Sequence, residues 1–240
     1  LQETIELIKQ LDDKKSPGYD QLDGKLLKEL PKSALKYIRR IYQASLRHCY
    51  FPKVWKVSII TAILKPGKDS NTVSSYRPIC LLPTLSKIFE KILSSRLQPL
   101  LDHQFGYRRK HSTIQQVHHL TNKIRTGLEN KHYVYLDVYL DVAKAFGKVW
   151  HDGLLYKIKT LLPHNYFRLL RSYLEGRKFL VRVNDDTSTP RDIKAGVPQG
   201  SVLGPILIFT YDLPTPSSPR SVTATFADDT VIMSADESLG

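Results

Sequence analysis

Acidic residues sit in or beside apolar, β-prone stretches at two widely separated places in this chain: Leu140-Asp141-Val142-Ala143-Lys144-Ala145-Phe146 and Phe226-Ala227-Asp228-Asp229-Thr230. An unpaired carboxylate in such surroundings is costly, because an ion that leaves water loses its hydration. A bound divalent cation offsets that cost, and hard cations such as Mg²⁺ take oxygen ligands. One carboxylate from a strand and two from a hairpin turn are enough to hold two metal ions for phosphoryl transfer. A fold that uses them must bring both segments to one end of a sheet.

Bulk composition is compatible with this and less specific. A chain of 240 residues that is 41% hydrophobic buries a substantial core, as one large domain or two small ones. An excess of 36 Lys+Arg over 23 Asp+Glu gives a formal charge of +13, which favours a polyanionic partner but also describes any basic soluble protein. Cys49 and Cys80 have neither CxxC spacing nor accompanying His ligands, so neither a zinc site nor a disulfide framework is indicated. No apolar run has the length of a membrane span and no signal-peptide pattern opens the chain, so no membrane partner is expected. The first residue is Leu1 rather than Met, and a fragment of a longer protein is expected.

Periodicity and breakers predict alternating elements without repeats. Thr4 to Asp12 reads as helix, broken by Ser16-Pro17-Gly18-Tyr19-Asp20, and Leu22 to His48 as one or two helices interrupted near Pro31. Trp55 to Leu64 reads as a strand ending in the turn Lys65-Pro66-Gly67-Lys68-Asp69. From Thr84, the residues Leu85, Ile88, Phe89, Ile92, Leu93 and Leu97 follow the helical period, and Ser112 with Gln115 resembles a capping box for a further helix. Tyr133 to Val142 is strand-like; Asp152 to Leu162 and Asn165 to Leu174 are helical. Phe179 to Val183 and Pro190 to Lys194 form a small antiparallel pair, and Val222 to Met233 is a hairpin turning at the Asp pair. Helices segregated from a mainly antiparallel sheet give the class α+β.

Between the acidic clusters lies Ala195-Gly196-Val197-Pro198-Gln199-Gly200-Ser201-Val202-Leu203-Gly204-Pro205. Gly196 and Gly200 allow unusual backbone angles and a close approach of a ligand; Ser201 can cap the following helix, with Pro205 near its first turn. Upstream stand Tyr76-Arg77-Pro78-Ile79-Cys80-Leu81-Leu82-Pro83 and Gln104-Phe105-Gly106-Tyr107-Arg108. In this order, from Ser16 onward, the motifs resemble those of a reverse transcriptase, specifically of jockey-type non-LTR retrotransposons.

The resemblance implies right-hand polymerase fingers and palm, with fingers and connecting elements over about 1–133 and 155–194 and a mainly antiparallel palm over 134–154 and 195–240. It implies RNA-directed DNA polymerisation with an RNA template, a DNA primer, deoxynucleoside triphosphates and Mg²⁺, Mn²⁺ being the alternative ion. A nuclear location is expected for target-primed reverse transcription. Asp141, Asp228 and Asp229 become the catalytic metal ligands, Asp141 and Asp228 bridging the ions. Asp137, in the repeated Leu-Asp-Val, shares Asp141's facing in a strand. The family spacing of five residues before an aromatic selects Asp141 over it. Lys65, Arg77, Phe146, Gln199 and Gly200 are assigned to the nucleotide, Phe146 as the ring that excludes a 2′-hydroxyl. Gln104, Arg108, Gly196 and Pro198 are assigned to template and primer, with Lys68 and Arg109 as weaker cationic candidates. The bland alternatives are a packed core aromatic for Phe146, solvated surface charges for the cations and an acidic turn for Asp228-Asp229.

Departures from the family pattern are also visible. Gly147 replaces the usual Asp of Ala-Phe-Asp, where it could serve as an N-cap. The sequence ends soon after Asp229, and no primer grip or helical thumb is recognised. An isolated chain is therefore expected to polymerise poorly. A noncatalytic nucleic-acid-binding remnant is the competing reading. A metal phosphohydrolase fits the carboxylates but leaves the Pro-Gln-Gly segment unexplained.

Overall fold

The computed structural model describes residues 2–100, 113–129, 134–140, 145–208, 221–226 and 229–236. In chain order the elements begin with α1 (Gln2–Lys9), α2 (Gly24–Lys28), α3 (Lys32–His48), β1 (Val57–Leu64), β2 (Tyr76–Leu81), α4 (Thr84–Leu97), α5 (Thr113–Glu129) and β3 (Val134–Leu140). They continue with α6 (Ala145–Lys148), α7 (His151–Leu161), α8 (His164–Leu174), β4 (Lys178–Val183), β5 (Asp186–Thr187), β6 (Arg191–Asp192), α9 (Gly204–Leu207), β7 (Ser221–Phe226) and β8 (Asp229–Asp236). These group into two units, residues 1–100 with 146–204 and residues 101–145 with 205–240. The segments expected to form the palm are divided between them at 145/146 and 204/205.

In the first unit, Pro31 stands between α2 and α3, as its missing N–H and fixed φ dictate. Cys49 closes α3 in the left-handed conformation. Gly18 is required for packing as well as turning: a Cβ there would lie 2.4 Å from the Leu82 carbonyl carbon and the Pro83 nitrogen. The apolar stripe of α4 supplies Phe89 to an aromatic core with Tyr42, Phe51, Trp55 and Tyr173, whose neighbouring ring centroids lie 5.0–5.8 Å apart.

The sheet of this unit runs β2-β1-β4-β5, with β6 also on β4. The mainly antiparallel expectation needs one correction here: β1 and β4 are parallel, whereas the other pairs are antiparallel. Parallel neighbours require a long crossover, and more than a hundred residues separate these two strands. β2 was not foreseen as a strand. Its Pro78 is tolerated because β2 lies at the sheet edge, where a missing donor breaks no central ladder.

The described strands of the second unit form an antiparallel sheet in the order β3-β8-β7, and α5 packs against β7. Its register runs from Val134 opposite Asp236 to Leu140 opposite Thr230, and from Ser221 opposite Ser234 to Phe226 opposite Asp229. The hairpin expected over Val222 to Met233 is therefore present, and Thr230, Val231 and Met233 are buried. Helices together with these sheets make the class α+β. The capping box at Ser112 lies outside the described residues. Among the described residues no helix is long and apolar enough to cross a membrane.

Candidate active site

The Gly196–Gly204 segment is fixed from three directions. Gly196 N–H donates to the Val149 carbonyl at 2.8 Å, and Val197 N–H to the Phe146 carbonyl at 2.7 Å. Cys80 N–H, on the free edge of β2, donates to the Gln199 carbonyl at 2.7 Å. Both glycines are required. Gly196 has φ +86° and a Cβ there would lie 2.8 Å from the Phe146 carbonyl oxygen; Gly200 has φ +111° and a Cβ there would lie 2.9 Å from the Cys80 carbonyl oxygen. Ser201 acts as foreseen, its Oγ accepting from Gly204 N–H at 2.8 Å while donating to the Pro198 carbonyl at 2.8 Å. Gly196 and Pro198 are buried, Gln199 is half-buried and Gly200 is exposed, so the reachable part of the turn is Gln199-Gly200.

Beneath the turn lies a group that the sequence did not reveal. Glu90, fully buried on α4, accepts from Val202 N–H at 2.8 Å, Leu203 N–H at 3.2 Å and Ser86 Oγ at 3.0 Å. Burial raises its carboxyl above the ordinary glutamate value, while the Arg177 cation and the three donors oppose that rise. Arg177 is itself fully buried, its guanidinium 4.6 Å from the Tyr173 ring centroid and donating from Nη1 to the Tyr173 carbonyl at 3.2 Å. A lone Glu in an apolar helical stripe gives no spacing signal, because the backbone N–H groups it holds lie more than a hundred residues further along the chain.

Phe146 is half-buried, and its Cε1 would lie 3.3 Å from a Cβ on Gly204, so the glycine makes room for the ring. Gly147 is not the N-cap expected of it. It is the third residue of the four-residue α6, which already begins at Ala145. Among the described residues a Cβ at Gly147 would meet nothing within 4 Å. His151, which no motif singles out, bonds the Gly196 carbonyl through Nε2 at 2.7 Å.

On the β1–β2 ribbon, Arg77 lies opposite Ile63, and Lys65 continues the ladder with its N–H on the Ser75 carbonyl at 2.8 Å. Alternation thus puts Lys65 and Arg77 on one face. Arg77 is exposed; Lys65 Nζ donates to the Ser74 carbonyl at 2.9 Å. Arg182 shares that face, since it lies opposite Thr61 and Thr61 lies opposite Ile79. No sequence spacing singles out Arg182, because the parallel pairing that aligns it is invisible in the sequence. Lys68 is exposed in the adjoining turn.

In the second unit the register brings the strand ends that lead to the aspartates together. Leu140, the residue before Asp141, pairs with Thr230, the residue after Asp229, and Asp229 pairs with Phe226. Asp137 pairs instead with Met233, four residues further into β8 than Asp229, a rise of about 13 Å along the strand. Asp141 and Asp228 lie outside the described residues, as do Gln104, Arg108 and Arg109, and with them the expected convergence of the carboxylates. Among the described residues no group of three or more His, Cys, Asp or Glu could hold a metal ion. By its chemistry alone, an all-carboxylate donor set such as the sequence supplies suits a hard divalent cation.

A family model described as "Reverse transcriptase (RNA-dependent DNA polymerase)" matches residues 63–239. The chain is 47% identical over 97% of its length to the "Probable RNA-directed DNA polymerase from transposon BS" of Drosophila melanogaster, and spans 27% of that protein. It is 43% identical over 96% of its length to the "Probable RNA-directed DNA polymerase from transposon X-element" of the same fly, spanning 26% of it. It is 41% identical over its whole length to the "RNA-directed DNA polymerase from mobile element jockey", again of Drosophila melanogaster, and spans 28% of that protein. A solved chain of a "Partial Cas6-RT-Cas1--Cas2 complex" covers all of this chain at 21% identity with a TM-score of 0.45, over 37% of its own length.

Proposed function

Because this chain belongs to the reverse transcriptase family, we propose that it forms the nucleotide-binding and catalytic part of an RNA-directed DNA polymerase of a jockey-type non-LTR element. The reaction joins a deoxynucleotide to the 3′-hydroxyl of a DNA primer on an RNA template. One observation carries this assignment: the register that sets Leu140 beside Thr230 and Phe226 beside Asp229, so that the chain enters both acidic clusters from one end of a sheet.

In this assignment Asp141, Asp228 and Asp229 would hold Mg²⁺ or Mn²⁺, which when bound supplies charge stabilisation for in-line displacement of pyrophosphate. The mid-strand pairing of Asp137 supports Asp141 rather than Asp137 in that role. Lys65 and Arg77 neutralise triphosphate oxygens from their common face, and Arg182 adds a third cation there. The Phe146 ring, backed by Gly204, rejects a ribose 2′-hydroxyl by its bulk. Gln199 and Gly200 bear on the nucleotide and template through the exposed part of the turn.

A noncatalytic, nucleic-acid-binding remnant is the second reading, and Gly147 favours it. A Cβ there would meet nothing within 4 Å among the described residues, so no packing demand explains why glycine stands where the family pattern has an acid. Mn²⁺ binding to the chain, followed by electron paramagnetic resonance, tests the metal assignment. Stoichiometric binding that disappears in an Asp141→Asn, Asp228→Asn double variant of unchanged stability is expected. Binding indifferent to both substitutions would remove these carboxylates from the site.

A further inference from the structure

One of the two tryptophans, Trp55, is buried at 5% exposure, whereas Trp150 is 70% exposed. An indole left in water forgoes one of the largest apolar burials a side chain can make. This one is nonetheless held in place. A Cβ on Gly153 would lie 2.5 Å from Trp150 Cε3, 3.0 Å from Cζ3 and 3.2 Å from Cδ2, so the ring rests on the bare backbone of α7 and turns its other side outward. The residues on either side of Trp150 both bond Gly196, Val149 through its carbonyl at 2.8 Å and His151 through Nε2 at 2.7 Å. The exposed ring is thereby tied to the glycine turn that ends at Gly200.

The surroundings are cationic and aromatic. Lys148 and Lys194 are exposed, Lys148 next to Val149 and Lys194 two residues before Gly196, and Lys157 lies on α7 seven residues after Trp150. Tyr156, 73% exposed, stands beyond Gly153 on α7, and Asp152 is the neighbouring acid. Protein interfaces are depleted of charge at their centres, whereas a fixed aromatic ring among lysines fits a stacked base with phosphates on either side.

We propose that Trp150 is a stacking platform for a base of single-stranded RNA lying against the Gly196–Gly200 turn, with Lys148, Lys157 and Lys194 on the flanking phosphates. This rests on the polymerase assignment and names a contact that it did not contain. The test is the intrinsic fluorescence of the 240-residue chain titrated with an oligoadenylate and with an abasic oligonucleotide of the same length. The oligoadenylate should quench the solvent-exposed emission and the abasic strand should not, while the emission of Trp55 stays constant as a marker of the fold. Trp150→Ala should weaken oligoadenylate binding by about tenfold and Trp150→Phe should keep most of it, because stacking needs only a ring. Equal quenching by both strands would overturn the proposal, as would unchanged affinity in Trp150→Ala. A change in self-association on that substitution, with RNA affinity unaltered, would assign the ring to a second copy and overturn it as well. Undiminished, salt-dependent RNA binding by Trp150→Ala would leave the polymerase assignment standing; absence of RNA binding by the unaltered chain would remove both.

Discussion

Gly147, Gly196 and Gly200 look alike in the sequence, and the structure separates them by what a Cβ would meet. Gly196 and Gly200 combine positive φ with backbone oxygens less than 3 Å from the added carbon, so each is strained by conformation and by contact. Alanine at either position should lower stability by more than about 1 kcal/mol, measured by urea denaturation. Gly147 has neither constraint, and Gly147→Asp should change stability by less than about 0.5 kcal/mol. If Gly147→Asp proved as damaging as Gly196→Ala, the described path of α6 would be wrong.

Glu90 links α4 to the turn before α9, and its energetics belong to both elements. Glu90→Ala strands the Val202 and Leu203 N–H groups and leaves the buried Arg177 without its counter-charge, a loss of about 3–5 kcal/mol. Its protonation gives a separate signature. Burial raises the folded carboxyl above the ordinary value of 4.5, so the folded state holds this proton in a pH range where the unfolded chain has released it. Stability from this group is full below that ordinary value and is lost as pH rises through the raised one. Glu90→Gln has no proton to lose, so its denaturation midpoint should gain on that of the unaltered chain as pH rises through this window. A difference independent of pH would contradict it. Long elements with a clear period, such as α4 and the β7–β8 hairpin, were legible in the sequence, as was the pairing of β4 with β6. β2 was hidden by Pro78, which argues against a strand unless the edge position is known. Glu90, His151 and Arg182 could not be found because their partners are set by tertiary pairing rather than by spacing.

The molecule as a whole carries a formal charge of +13, and the polymerase assignment turns that excess towards nucleic acid. Affinity for a primer–template duplex should fall at least about tenfold between roughly 50 and 200 mM salt, through counterion release; a flat response would remove the electrostatic part of the account. The chain spans 27% of the transposon BS relative, so catalysis is best read in that longer setting. The most direct measurement replaces the matching segment of that relative with this chain and follows primer extension on an RNA template with Mg²⁺ and deoxynucleotides. The account predicts templated extension that falls at least about a hundredfold on Asp141→Ala or Asp228→Ala, with primer–template binding retained. A chimera that binds primer–template yet does not extend it, or that extends it equally well without Asp228, would contradict the claim that these carboxylates carry the chemistry.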